Sequence, residues 1–109
     1  MSISSYQRNW KAVVAVDGRW YDYALLYTLL RIIYEKQLAG QTVGLRDLWL
    51  EYRDRTGIKV NYYTVKRHIE LAIDRGLVER SGTRPTKLKL TKKGVDYVFL
   101  FERLSELIR

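Results

Sequence analysis

Tyr62, Tyr63, Lys66, Arg67 and Glu70 are the residues of this chain whose types and spacing suit recognition chemistry. Between them Val65, Ile69, Ala72 and Ile73 recur at helical intervals, which predicts a buried face and leaves the long polar side chains on the other. On such a face Arg67 can pair bidentately with guanine, and Lys66 can do the same or neutralise a phosphate. Both tyrosines can donate to phosphate or touch a thymine methyl, and Glu70 can accept from cytosine N4. Asn61 is a favoured N-cap, so this chemistry sits near a helix N-terminus, where base edges and phosphates are met. The alternative is the plain solvated face of a core helix, and the residues that follow bear on that choice.

After Gly76 closes the helix, residues 77–81 read as a strand, 82–86 as a loop and 87–91 as a second, alternating strand. From Arg80 to Lys93 there are six basic residues and no acidic one. Arg84, beside the chain's single proline Pro85, is placed at the tip, where an arginine can enter a minor groove or clasp a backbone. Lys87 and Lys89, with Lys92 and Lys93, can add phosphate contacts, each of which releases counterions. A bland reading is a solvated hairpin whose lysines discourage edge pairing, but it leaves the missing acidic partners unexplained.

The elements that must position these groups are legible around them. Residues 21–39 carry leucine, isoleucine and tyrosine at helical spacing with Gly40 as a stop, and residues 45–55 place Leu45, Leu48, Trp49 and Tyr52 along one stripe. Gly57 suits a left-handed helix end and Asn61 a new start, giving helix, short turn, helix over 45–75. Thr42 to Gly44 is a candidate short strand. Residues 11–16 lean to a strand because of their valines and the Asp17-Gly18 turn, within an N-terminal arm spanning 1–20. Residues 92–108 are helical in pattern. The expected fold class is mainly α (α+β): a winged helix-turn-helix over one domain, 1–109, with a β-hairpin wing at 77–91 and additional N- and C-terminal helices.

The apolar residues of the first and last helices cover more than one face. That width predicts an isologous homodimer, with Leu29 and Ile33 of the first helix and Val98, Phe99, Phe101, Leu104 and Ile108 of the last at the interface. The alternative is that these helices cover one another within one subunit.

Charge supports the same partner. The chain of 109 residues has a formal charge of +8, and residues 46–93 hold 13 basic and 6 acidic side chains, so the excess lies within the candidate motif. Double-stranded DNA, bound sequence-specifically, is the expected partner, with a winged-helix protein-protein interaction adaptor or a nonspecific chromatin or RNA binder as the alternatives. With no cysteine, disulfides and thiolate metal sites are excluded. The single histidine, His68, reads as a helix residue at the core edge, and Asp47, Glu51 and Asp54 as ion-pair partners of neighbouring arginines. No metal, cofactor or enzymatic activity is expected. The start has no apolar run of signal-peptide type, and the apolar stretch at 23–34 is interrupted by Arg31, so a soluble cytoplasmic protein is expected.

The run 45–94 resembles winged helix-turn-helix transcription regulators of the MarR and PadR type, notably in Gly76-Leu77-Val78 and in Leu90-Thr91-Lys92-Lys93-Gly94. It is also similar in size and Tyr/Lys/Arg richness to small winged-helix proteins of archaea and their viruses. The resemblance implies a recognition helix at 61–75, a wing at 77–91 and dimeric binding to pseudo-palindromic operators. Residues 11–16 depart from the all-helical start of those groups.

Overall fold

A computed structural model of the protein describes residues 13–16, 19–83 and 86–108. Two short strands open it: β1 (Val13–Val16) pairs antiparallel with β2 (Arg19–Asp22), Val13 opposite Asp22 and Val16 opposite Arg19. The strand expected at 11–16 is therefore present over its described part, but residues 21 and 22 belong to β2 and not to the first helix. Asp22 sets that boundary. Its backbone is extended and its Oδ1 accepts from the N–H groups of Ala24 (2.9 Å) and Leu25 (3.1 Å), so α1 (Tyr23–Leu38) starts immediately after it.

α1 is the centre of the molecule. Leu25, Leu26, Leu29, Leu30, Ile32 and Ile33 are buried, and α2 (Leu45–Thr56), α3 (Tyr62–Asp74), α4 (Lys92–Leu107) and β4 (Lys87–Leu90) pack around it. The width of its apolar surface is thus used within one chain. Leu29 and Ile33, expected at a subunit interface, are fully buried in this core, as is Val98 of α4, and none of the three has surface left for a second copy. The same helix ends where Gly40 turns left-handed (φ 73°), with the Gly40 and Gln41 amides returning to the carbonyls of Gln37 and Lys36.

α2 buries Leu48 and Tyr52 and stops at left-handed Gly57, φ 71°. The turn that follows is held by Trp49, whose Nε1–H donates to the Val60 carbonyl at 2.7 Å. α3 then begins at Asn61, whose side chain accepts from the Tyr63 N–H at 2.7 Å, and buries Val65, His68, Ile69, Leu71 and Ala72. Its end leads into β3 (Val78–Ser81), antiparallel to β4, with Val78 opposite Leu90 and Ser81 opposite Lys87. The strand expected at 42–44 is a single bridge: Leu88 N–H donates to the Val43 carbonyl at 2.9 Å. Helix, turn, helix and a two-stranded wing make a winged helix, with a hairpin before α1 that the sequence reading left out.

α4 lies back across α1. Phe101 stacks on Tyr27, ring centroids 4.5 Å apart, and an ion network of Arg31, Glu35 and Glu102 extends through Arg55 to Glu51 and Lys36, joining α1, α2 and α4. Among the described residues no helix is long and apolar enough to cross a membrane.

Candidate nucleic-acid interface

The residues singled out on α3 divide by their angle around the helix. Val65, Ile69 and Ala72 point to the core, and residues about 100° further round leave it. Tyr63 is 70% exposed, and Lys66 and Glu70 are exposed beside it. Tyr62 is half-buried, its ring edge-on to Trp49 at 5.6 Å and to Tyr63 at 5.5 Å, so the two tyrosines and the tryptophan brace one another at the start of the helix.

Lys66 and Glu70 form one wall of an open groove between α3, the start of α2 and the wing. Ile69, Ile73, Leu45 and Leu88 supply its apolar floor, and Arg46 and Arg80 stand on its other sides. The wing register explains which basic residue arrives there. Opposed residues share a face, so Arg80, opposite Leu88, lies on the inner face toward α3. Lys87 and Lys89 lie opposite Ser81 and Glu79 on the outer face. Arg80 and Lys66 thus act on one groove, while Lys87 and Lys89 face another direction. Arg84, with Pro85, lies outside the described residues.

Electrostatically the groove is mixed. Arg46, Lys66 and Arg80 meet Asp47 and Glu70, an arrangement that combines phosphate attraction with an acceptor able to discriminate among base edges. α2 begins here at Gly44, which provides no capping side chain, so its first amides are free of a side-chain acceptor. Arg46 and Arg53 flank the Trp49 ring at 5.9 and 5.4 Å; of the ion pairs expected of Asp47, Glu51 and Asp54, the described residues show that of Glu51 with Arg55, which also reaches Glu35.

Arg67 goes elsewhere. Its guanidinium lies over the Tyr21 ring at 5.7 Å, its Nη2–H donates to the Trp20 carbonyl at 3.4 Å, and its Nε is buried without a hydrogen-bond partner among the described residues. It therefore faces the N-terminal hairpin, on the opposite flank of α3 from the groove. One residue on, His68 is buried, where the sequence placed it at the core's edge. Its Nε2 accepts from the Asp22 N–H (2.9 Å) and its Nδ1 lies 2.7 Å from the Thr64 carbonyl, which requires the proton on Nδ1 and a neutral ring. Burial lowers its pKa, the proximity of Arg67 adding to the effect. Tyr21 packs edge-on against the same imidazole at 5.3 Å.

Sequence reading missed this hairpin contact and the residues that make it, Trp20, Tyr21 and Asp22. The available indication was Asp17-Gly18 between two short β-prone runs, a hairpin pattern. On α4 it singled out Phe99, Phe101, Leu104 and Ile108. Phe101 is committed to Tyr27, and the exposed stripe consists of Leu100, Leu104, Leu107 and Ile108, with Phe99 half exposed at its edge. Among the described residues no group of three or more acidic, His or Cys side chains is placed to hold a metal.

No family model and no curated protein matches the chain. Solved structures do. The structure of the hsRosR-S4 complex superposes with a TM-score of 0.63 at 24% identity, covering 76% of this chain and 71% of that one. The hsRosR-S1 complex gives 0.62 at 24% identity, with 76% and 73% covered. At that identity the likeness is one of fold.

Proposed function

We propose that the protein is a double-stranded DNA-binding transcription regulator of the MarR and PadR-like kind that works as a homodimer. The observation that carries this reading is the division of α3: its apolar side is spent on the core, and the side left over exposes Tyr63, Lys66 and Glu70, the last two lining one groove with Arg80 of the wing. α3 enters the major groove. Lys66 and Arg46 take phosphate or base contacts, Glu70 discriminates against bases with no donor to offer it, and the wing follows the neighbouring backbone. Regulation is by occupancy of a site near a promoter, and no catalytic step is assigned to the protein.

The second copy docks on the stripe Leu100, Leu104, Leu107 and Ile108, which the chain's own core leaves uncovered. A two-fold pair then offers two recognition helices to a palindromic site.

The test is fluorescence-anisotropy binding to a randomised duplex pool across a salt series, with sequencing of the bound fraction. Enrichment of a palindrome together with a steep salt slope is expected. Absence of binding at low salt would refute the proposal, and tight binding without enrichment would replace a specific regulator with a nonspecific DNA coat.

A further inference from the structure

The N-terminal hairpin has an exposed aromatic and a reason to be where it is. Trp20 is 61% exposed, the largest side chain so displayed among the described residues, although its strand is fastened to α3. The fastening is polar and specific: Asp22 N–H to His68 Nε2, Arg67 to the Trp20 carbonyl, and Tyr21 against both the His68 ring and the Arg67 guanidinium. Side chains alternate along a strand, so with Tyr21 turned inward onto α3, Trp20 is turned outward.

We infer that this hairpin is a second wing: Trp20 contacts the sugar-phosphate backbone of the same duplex on the flank of α3 opposite the β3–β4 wing. This rests on the DNA-binding reading above. Three observations select DNA as the occupant. Arg67 is the helical neighbour of Lys66 and spends its guanidinium on the Trp20 carbonyl, so the hairpin continues the candidate interface with no gap of core between them. The Arg67 guanidinium sits at that junction, over the Tyr21 ring and on the Trp20 carbonyl, and so places a positive charge on this flank. The exposed apolar stripe suited to a second copy lies on α4 and leaves Trp20 free for another partner. An indole at this place can cover a deoxyribose with its ring and donate Nε1–H to a phosphate oxygen.

The geometry also reassigns Arg67. Its role here is to position the hairpin, and base reading on α3 passes to Lys66 and Glu70.

The experiment compares the full chain with Trp20→Ala, Trp20→Phe and Lys66→Ala on a duplex recovered from the bound pool, by anisotropy at several salt concentrations, with light scattering to follow oligomeric state. Trp20→Ala is expected to weaken binding about tenfold, the loss of one aromatic contact. Trp20→Phe should recover part of that loss. Because the indole is uncharged, the salt slope should stay that of the wild type, whereas Lys66→Ala should flatten it. Hydroxyl-radical protection at the sugars flanking the α3 footprint should disappear in Trp20→Ala alone. Wild-type affinity for Trp20→Ala beside a weakened Lys66→Ala would overturn this inference and leave the functional reading standing. Loss of the dimer in Trp20→Ala would assign Trp20 to a subunit contact and overturn it equally. If the wild type itself binds no duplex, the functional reading fails and the second wing with it.

Discussion

Replacing Gly94 with alanine tests the packing of the winged helix through the sign of its effect. Gly94 lies in the first turn of α4, and by helix propensity alone Gly→Ala there should stabilise, by up to about 1 kcal/mol. The structure predicts the opposite. A Cβ on Gly94 would overlap the carbonyl oxygen of Leu77 and stand 3.0 Å from its carbonyl carbon. These are backbone atoms, and that oxygen already accepts from the Thr91 N–H at 3.0 Å, so no rotamer change relieves the overlap. α4 must shift from the base of the wing, with loss of the Thr91 contacts to Gly76 and Gly94. Overpacking of this kind costs about 1 to 3 kcal/mol, and the immobile partner argues for the upper part of that range. For a domain of this size each kcal/mol moves the melting temperature by about 4 to 8 °C. Thermal unfolding followed by circular dichroism should therefore show Gly94→Ala melting at least about 8 °C below wild type. An unchanged or raised melting temperature would refute the close approach of α4 to the wing.

Other consequences can be measured directly. Lys66→Ala removes one exposed charge from the groove without touching the core, so the melting temperature should hold while the slope of log K against log salt falls by about 0.9 per subunit if Lys66 neutralises one phosphate; an unchanged affinity and slope would take Lys66 out of the interface. His68 is neutral because burial holds its pKa below the usual 6.5. A lowered histidine pKa means that the unfolded chain binds the proton first, so this contribution to stability is complete above pH 6.5 and is lost as pH falls through the folded-state value. The melting temperature should drop on acidification in that window, and the drop should be absent in His68→Phe. Glu35, where the upward push of burial is outweighed by hydrogen bonds from Arg31 and Arg55, and Glu51, held low by its hydrogen bond from Arg55, also lose stabilisation in acid, but that loss persists in His68→Phe. If two copies pair through α4 as proposed, Leu104→Glu, which places a charge at a position 60% exposed in the single chain, should leave folding almost unaffected while light scattering shows the wild-type pair dissociating; a pair that persists would move the subunit contact off α4, and a monomeric wild type would refute the pairing.

Much of the frame was legible because it is written in local terms. Three glycines expected to end helices, Gly40, Gly57 and Gly76, are all left-handed at φ 71 to 73°. Asn61 caps α3 as its side-chain chemistry suggests. The Thr91-Lys92-Lys93-Gly94 run, noticed only as a resemblance, has a local cause: Thr91 bridges Gly76 and Gly94, Lys93 Nζ donates to the Arg75 carbonyl at 2.7 Å, and Gly94 leaves room for Leu77. What could not be read was which neighbour covers which face. Leu29, Ile33 and Val98 looked like surplus apolar surface because periodicity reports how wide a stripe is and carries no information on how many elements of the same chain converge on it. Arg67 looked equivalent to Lys66 for the same reason. The two are adjacent in sequence and both point away from the core, and only the presence of β2 decides that one is occupied.

That difference bears on how specificity could arise. A helix of 13 residues presents few side chains to a groove, and here one flank of α3 is tied down by Tyr21, Asp22 and Trp20. The tie holds the helix against rotation about its own axis, since Arg67 and His68 are anchored to a strand that is itself continuous with the N-cap of α1. Restricting that rotation fixes where Lys66 and Glu70 point before any ligand arrives, and a preorganised donor and acceptor pair loses less conformational entropy on binding than two free side chains on a mobile helix. The buried neutral histidine belongs to the same logic. Its two ring nitrogens join a carbonyl of α3 to the amide of Asp22 only in one tautomer, so the anchor depends on a proton staying on Nδ1 and off Nε2. Acid that protonates Nε2 removes the acceptor for the Asp22 N–H and sets a second positive charge beside Arg67, loosening the hairpin and the orientation of the exposed face of α3 together.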